Sequence, residues 1–147
     1  MSVTQVKIVP HEDRYIPKYK TNGAACADAY ARLEERVIIE PKQRLKVPLG
    51  FKIQLPEGWE LQVRGRSGHA DNNGIMMTNG IGTIDSDYRG EVTALLYNSS
   101  EVPFPIEDGD RVAQVCIKPT HRILWNRVEE LEASDRGDGG FGSTGNK

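Results

Sequence analysis

Apolar and polar residues alternate most regularly over residues 45–55, LKVPLGFKIQL. Leu45, Val47, Leu49, Phe51, Ile53 and Leu55 take the odd positions, and Lys46, Pro48, Gly50, Lys52 and Gln54 lie between them. A period of two sustained this long predicts a strand with one face in the core. Pro48 has no N–H for a ladder, which places it at an edge or a bulge. Shorter runs predict strands at residues 37–39, 60–64, 91–97 and 111–118. Pro56-Glu57-Gly58 and Glu107-Asp108-Gly109-Asp110 read as turns, and Asn79-Gly80 as a tight hairpin. A single short helix is expected around residues 68–73, while residues 123–131 fit strand or helix equally. With 15 glycines and 8 prolines punctuating the chain, many short strands are favoured over long helices. The expected fold is one all-β domain, a sandwich or a barrel.

Composition narrows the function. A chain of 147 residues is one ordinary domain and buries enough surface to need no metal or disulfide staple. With 19 basic and 21 acidic side chains the net charge is −2, so neither nucleic acid nor an anionic membrane is attracted globally. No apolar run exceeds four residues, against about twenty for a spanning helix. The opening MSVTQVKIVPHEDRY lacks an apolar signal core. The expected location is therefore cytoplasmic, or nuclear in a eukaryote, and not secreted. Cys26 and Cys116 lie far apart in sequence and are expected to be reduced thiols. His11, His69 and His121 show no metal-ligand spacing.

Several stretches carry residue types suited to chemistry. Arg64-Gly65-Arg66-Ser67-Gly68 reads as a solvated turn, or as a turn whose guanidinium and hydroxyl hold a phosphate. In Gly82-Thr83-Ile84-Asp85-Ser86-Asp87-Tyr88, two carboxylates two residues apart on an extended segment point the same way. They cap turns, activate water or hold a hydrated magnesium ion. Gln114 interrupts an apolar strand face between Val112 and Cys116, and a buried amide needs partners. The small residues of ACADAYA around Asp28 suit tight packing or a close interface. The last fourteen residues, SDRGDGGFGSTGNK, hold five glycines and one aromatic, Phe141. They read as a disordered tail or as a lid that folds over a phosphate ligand.

In their order along the chain, ACADAYA, GRSG, GTIDSDYRGEV, RVAQV and RGDGGFGSTG resemble the five ordered motifs of the trimeric deoxyuridine triphosphatases (dUTPases). The resemblance runs over residues 24–145, and the third and fifth motifs are the specific ones. It implies a distorted antiparallel β-barrel of jelly-roll character, assembled as a homotrimer with active sites between subunits. Residues 1–133 would form the barrel, and 134–147 a glycine-rich arm closing a neighbour's site. The family usually carries glycine where Cys26 stands, proline where Gly65 stands and leucine where His69 stands. His69 is expected at a surface or interface position.

The same resemblance implies a magnesium-dependent dUTP diphosphatase that produces dUMP and pyrophosphate. Such an enzyme keeps uracil out of DNA and supplies dUMP for thymidylate synthesis. Asp85 would be the general base. Tyr88 would pack under the deoxyribose, while Asn79 with the backbone of Gly82, Thr83 and Ile84 would read uracil. Arg66, Ser67 and Gly68 would hold phosphates, and Gln114 would help place the water. Arg136, Gly142, Ser143 and Thr144 would clamp the terminal phosphate, with Phe141 stacked on uracil. Asp28 would approach the magnesium through water. A deoxycytidine triphosphate deaminase of the same fold, or a non-catalytic nucleotide sensor, is the alternative.

Overall fold

The computed structural model describes residues 3–143. Its regular elements are β1 (Lys7–Pro10), β2 (Ala27–Tyr30), β3 (Val37–Ile39), β4 (Arg44–Pro48), β5 (Phe51–Gln54), β6 (Trp59–Arg64), α1 (Ser67–Asn73), β7 (Ile75–Met77), β8 (Ile81–Ile84), β9 (Thr93–Asn98), β10 (Phe104–Ile106) and β11 (Arg111–Pro119), with a single 3-10 turn at Asp13–Tyr15. All strand pairings among the described residues are antiparallel, in the orders β2-β11-β6-β8, β4-β9-β7, β1-β5 and β10-β3. Together they wrap one core, the distorted antiparallel barrel expected from the motifs. No helix among the described residues is long and apolar enough to cross a membrane.

The 45–55 alternation holds for burial but not for pairing. Val47, Leu49, Phe51, Ile53 and Leu55 are all buried. Yet the run is two strands: β4 pairs with β9, and β5 pairs with β1. Gly50 makes the break. It sits at φ +76°, and a Cβ there would meet the Tyr15 ring at 2.6 Å. Only glycine allows both that backbone and that contact. Because both halves face one core, the period survives the change of sheet. Pro48 closes β4, an edge strand of its sheet, as a residue without an N–H should.

Three further expectations change. Asn79-Gly80 does form a tight turn, with the Gly80 N–H donating to the Met77 carbonyl at 3.1 Å. It is not a hairpin, since β7 pairs with β9 and β8 with β6. The turn hands the chain from one sheet to another. Residues 85–88 are a turn rather than an extended segment, with the Tyr88 N–H donating to the Asp85 carbonyl at 3.1 Å. Asp85 and Asp87 are thus not related by strand alternation. Residues 123–131 form neither strand nor helix. Among the described residues, the last backbone hydrogen bond to the barrel is from the Thr120 N–H to the Gly58 carbonyl.

Candidate active site

Asp28 lies in the middle of β2, only 4% exposed. A buried carboxylate is costly unless it is paired, and three side chains supply partners, two from β11 and one from the residue before α1. Arg111, at the start of β11, donates from Nη1 to Oδ2 at 3.1 Å. Gln114, opposite Asp28 in the ladder, approaches Oδ1 with Nε2 at 3.4 Å. Arg66, the residue before α1, brings Nε to 3.7 Å from Oδ1. That buried Nε has no hydrogen-bond partner among the described residues. Arg66 Nη1 donates to the Arg111 carbonyl at 3.0 Å, and His69 Nε2 lies 2.8 Å from the same oxygen. The same Nε2 lies 3.1 Å from Arg66 Nη1. The ring stands edge-on to Phe104 at 5.3 Å between centroids. Residues of the first, second and fourth motifs therefore form one cluster, and His69 is part of it. Ser67 and Gly68 are exposed at the start of α1.

The third motif is built from β8 outward. Gly82 is buried opposite Val63, and a Cβ at Gly82 would meet Val63 Cβ at 3.2 Å. The Asn79 amide reaches to within 3.7 Å of the same point. Thr83 is exposed and Ile84 packs on the core. Asp85 is exposed at the first position of its turn. Tyr88 folds back so that its hydroxyl donates to the Glu91 carbonyl at 3.2 Å. Gly90 makes that possible, since a Cβ there would fall 2.2 Å from the Tyr88 hydroxyl oxygen. Arg89 Nη1 ties the turn by donating to the Ser86 carbonyl at 2.7 Å. Asp85, Ser86, Asp87 and Arg89 border an open groove of about 670 Å³ with Trp59 and Glu60.

Glu91 anchors this loop to the barrel. Arg32 donates to it from Nε at 2.7 Å and from Nη2 at 3.0 Å, and the Gly50 N–H donates at 3.1 Å. The paired guanidinium holds the Glu91 carboxyl below its ordinary 4.5, against the opposing effect of burial. A carboxyl depressed in the folded state stabilises the fold above its unfolded pKa. That stability is lost as pH falls through the lower folded value. Glu91→Gln should therefore cost about 1–2 kcal/mol at neutral pH. The difference from the parent chain should shrink below about pH 4, as followed by urea melts at several pH values. Equal stability of the two proteins at neutral pH would remove Glu91 as an anchor.

The two halves of the expected site do not meet within one chain. β6 and β8 pair from Leu61–Ile84 to Arg64–Ile81, a ladder about 10 Å long. Asp85 lies beyond its first end and Arg66 beyond its second. The described residues of the arm do not join them either. Arg136 Nε donates to the Gly139 carbonyl at 2.8 Å within the arm's own turn. Phe141 is fully exposed at φ +51°, followed by Gly142 at φ +87°. Ser143 is exposed and donates its N–H to the Gly140 carbonyl at 2.9 Å. Thr144 lies outside the described residues. Just upstream, Leu124, Trp125 and Leu131 are 95%, 82% and 89% exposed, with Ile123 and Val128 also outside the core.

Glycine 90, Glu91, Arg32 and Arg111 were not singled out from the sequence. Gly90 and Glu91 lie inside the third motif, so their signal was present as RGEV. Arg32 is 59 positions from Glu91, and nothing local marks that partnership. Among the described residues, no group of three or more His, Cys, Asp or Glu side chains could hold a metal ion. Asp28 offers one carboxylate in a setting of arginines. That fits a magnesium ion carried on substrate phosphates and touched through water, but not a protein-caged ion.

Known proteins share this chain's sequence pattern and fold. The dUTPase family model matches residues 12–145. The deoxyuridine 5'-triphosphate nucleotidohydrolase of Fusobacterium nucleatum is 42% identical over 145 residues, covering 99% of each chain. The dUTPase of Staphylococcus bacteriophage 80alpha, solved as a point mutant with dUpNHpp, superposes with a TM-score of 0.83 at 22% identity, covering 97% of this chain and 99% of its own. That of phage phi11 of S. aureus, solved to describe a structural Mg(II) ion, gives 0.77 at 19% identity, covering 88% and 99%. With its motifs in family order on a barrel of the same fold, this chain belongs to the dUTPase family.

Proposed function

We propose that this chain hydrolyses dUTP to dUMP and pyrophosphate, working as a homotrimer whose sites form between neighbouring copies. The observation that carries the reading is the division of the site. The cluster of Asp28, Arg66 and Gln114 and the turn bearing Asp85 are each complete locally, yet lie at opposite ends of one ladder. A second copy brings one chain's turn beside another's cluster. The exposed apolar residues between 123 and 131 are the surface such assembly would cover. Residues 1–133 act as the barrel and 134–147 as the arm.

Asn79 and the backbone of Gly82, Thr83 and Ile84 hold uracil by its donor and acceptor pattern. Tyr88 lies against the sugar and leaves no room for a 2′-hydroxyl. Arg66, Ser67 and Gly68 bind phosphate oxygens. Gln114 orients water, and Asp85 accepts its proton as the oxygen attacks the α-phosphorus in line. A magnesium ion carried on the phosphates, which Asp28 would approach through water, would supply charge neutralisation as pyrophosphate leaves. Arg136, Gly142, Ser143 and Thr144 close over the terminal phosphate, and Phe141 covers the base.

Product analysis tests this reading. The purified chain is incubated with each deoxynucleoside triphosphate and magnesium in turn. The expected products are dUMP and pyrophosphate from dUTP alone. Ammonia from dCTP would assign a deaminase instead, and no turnover of any nucleotide would assign a sensor.

A further inference from the structure

Cys26 immediately precedes β2, and Cys116 lies within β11. These strands pair antiparallel, with Asp28 opposite Gln114 and Ala27 opposite Val115. Continuing that register by one residue sets Cys26 opposite Cys116. Opposed residues on antiparallel strands project to one face with Cα atoms roughly 4.5–5.5 Å apart. A disulfide spans Cα separations of about 4.4–6.8 Å. Both cysteines are free thiols, Cys116 buried and Cys26 half-buried. Burial, with the neighbouring Cys116 thiol adding to it, pushes the Cys26 thiol above its ordinary 9.0. The next pair on the same face, two residues along each strand, is Asp28 and Gln114.

We propose that Cys26 and Cys116 close a reversible disulfide under oxidising conditions, and that this bridge slows turnover by shifting the neighbouring Asp28–Gln114 pair. The activity half rests on the dUTPase reading, whereas the bridge does not. With a small-molecule disulfide such as oxidised glutathione as oxidant, the Cys26 thiolate attacks one sulfur and expels one glutathione thiolate, which takes up a proton. The Cys116 thiolate then attacks Cys26 Sγ in the mixed disulfide and expels the second. The protein loses two hydrogens and two electrons, and the oxidant becomes two reduced thiols. A raised thiol pKa leaves little thiolate at neutral pH, so closure is slow there and faster in mild alkali. Closing a covalent bond of about 2.05 Å between the two sulfurs draws the strands together beside Asp28. Displacements on the order of 1 Å at a positioning group lower rates up to a hundredfold.

The test oxidises the full-length protein with oxidised glutathione near about pH 8.5, then measures intact mass, thiol titre and dUTP hydrolysis. The expected results are loss of two hydrogens and both thiols, about tenfold slower turnover, and recovery with dithiothreitol. Cys26→Gly, which restores the family's usual residue, should keep reduced-state activity and ignore the oxidant. Cys26→Ser serves if that variant misfolds. Two surviving thiols, a lasting glutathione adduct or a bridge between chains would overturn the pairing. A closed bridge with unchanged turnover would overturn the regulation. Because mass reports the bridge alone, a bridged protein whose reduced form never cleaves dUTP counts against the dUTPase reading and not against the pairing.

Discussion

Asp85→Asn should bind a non-hydrolysable dUTP analogue within a few-fold of the parent protein and turn dUTP over about a thousandfold more slowly. The magnitude is that of removing a positioned general base. The side chains are nearly the same size, so the turn from Asp85 to Tyr88 keeps its backbone hydrogen bond. Asp85 is exposed and forms no ion pair among the described residues. Its charge can therefore be removed without leaving a buried partner unpaired, and the melting temperature should stay within about 2 °C. Binding is assigned to other groups: the backbone of β8, Tyr88, and the cluster of Arg66 with Asp28. Single-turnover kinetics and titration of the analogue separate the two effects. Asp87→Asn is the control, since Asp87 borders the same groove and has no assigned role. A near-normal rate in the Asp85 variant, or an equal loss in the Asp87 variant, would take the base away from Asp85.

How much of this could be read from residues alone depends on how local each interaction is. The burial of Val47 through Leu55 was legible because alternation reports a face. It cannot report a partner strand, so the change of sheet at Gly50 was not. That break depends on the Tyr15 ring, 35 positions away, occupying the space beside Gly50. Strands β3, β6 and β11 were recovered because apolar residues recur along each and a turn or charge ends it. Asn79-Gly80 was correctly a turn and wrongly a hairpin for the same reason. A dipeptide fixes four backbone angles but not which edge the next strand joins. The site shows a similar division. The order of the motifs pointed to Asp28, Arg66 and Gln114 separately. Their convergence, with Arg111 and His69 completing the cluster, comes from β2 and β6 lying on either side of β11. Cys26 and Cys116 are neighbours through that same ladder, which their distance in sequence conceals.

Deleting residues 134–147 should lower kcat/KM at least about a hundredfold while leaving the barrel folded and its assembly unchanged. Every interaction this segment makes among the described residues is internal to it, as with the Arg136 Nε to Gly139 carbonyl bond and the turn that brings Ser143 back to Gly140. Among the described residues, removing it exposes no core and orphans no barrel group, so the melting temperature should not fall. The apolar stretch of Ile123, Leu124, Trp125, Val128 and Leu131 remains in the truncated chain, and with it the surface proposed to join copies. The loss instead falls on closure. On the proposed reading, Arg136 would no longer meet the terminal phosphate, Phe141 would no longer cover the base, and water would no longer be excluded around developing charge. The defect should therefore appear as both raised KM and reduced kcat, unlike the purely catalytic defect at Asp85. Light scattering and steady-state kinetics on the same preparation give both answers. Full activity would show that the arm is not a lid. Dissociation to single chains would show that the arm, rather than residues 123–131, holds the copies together.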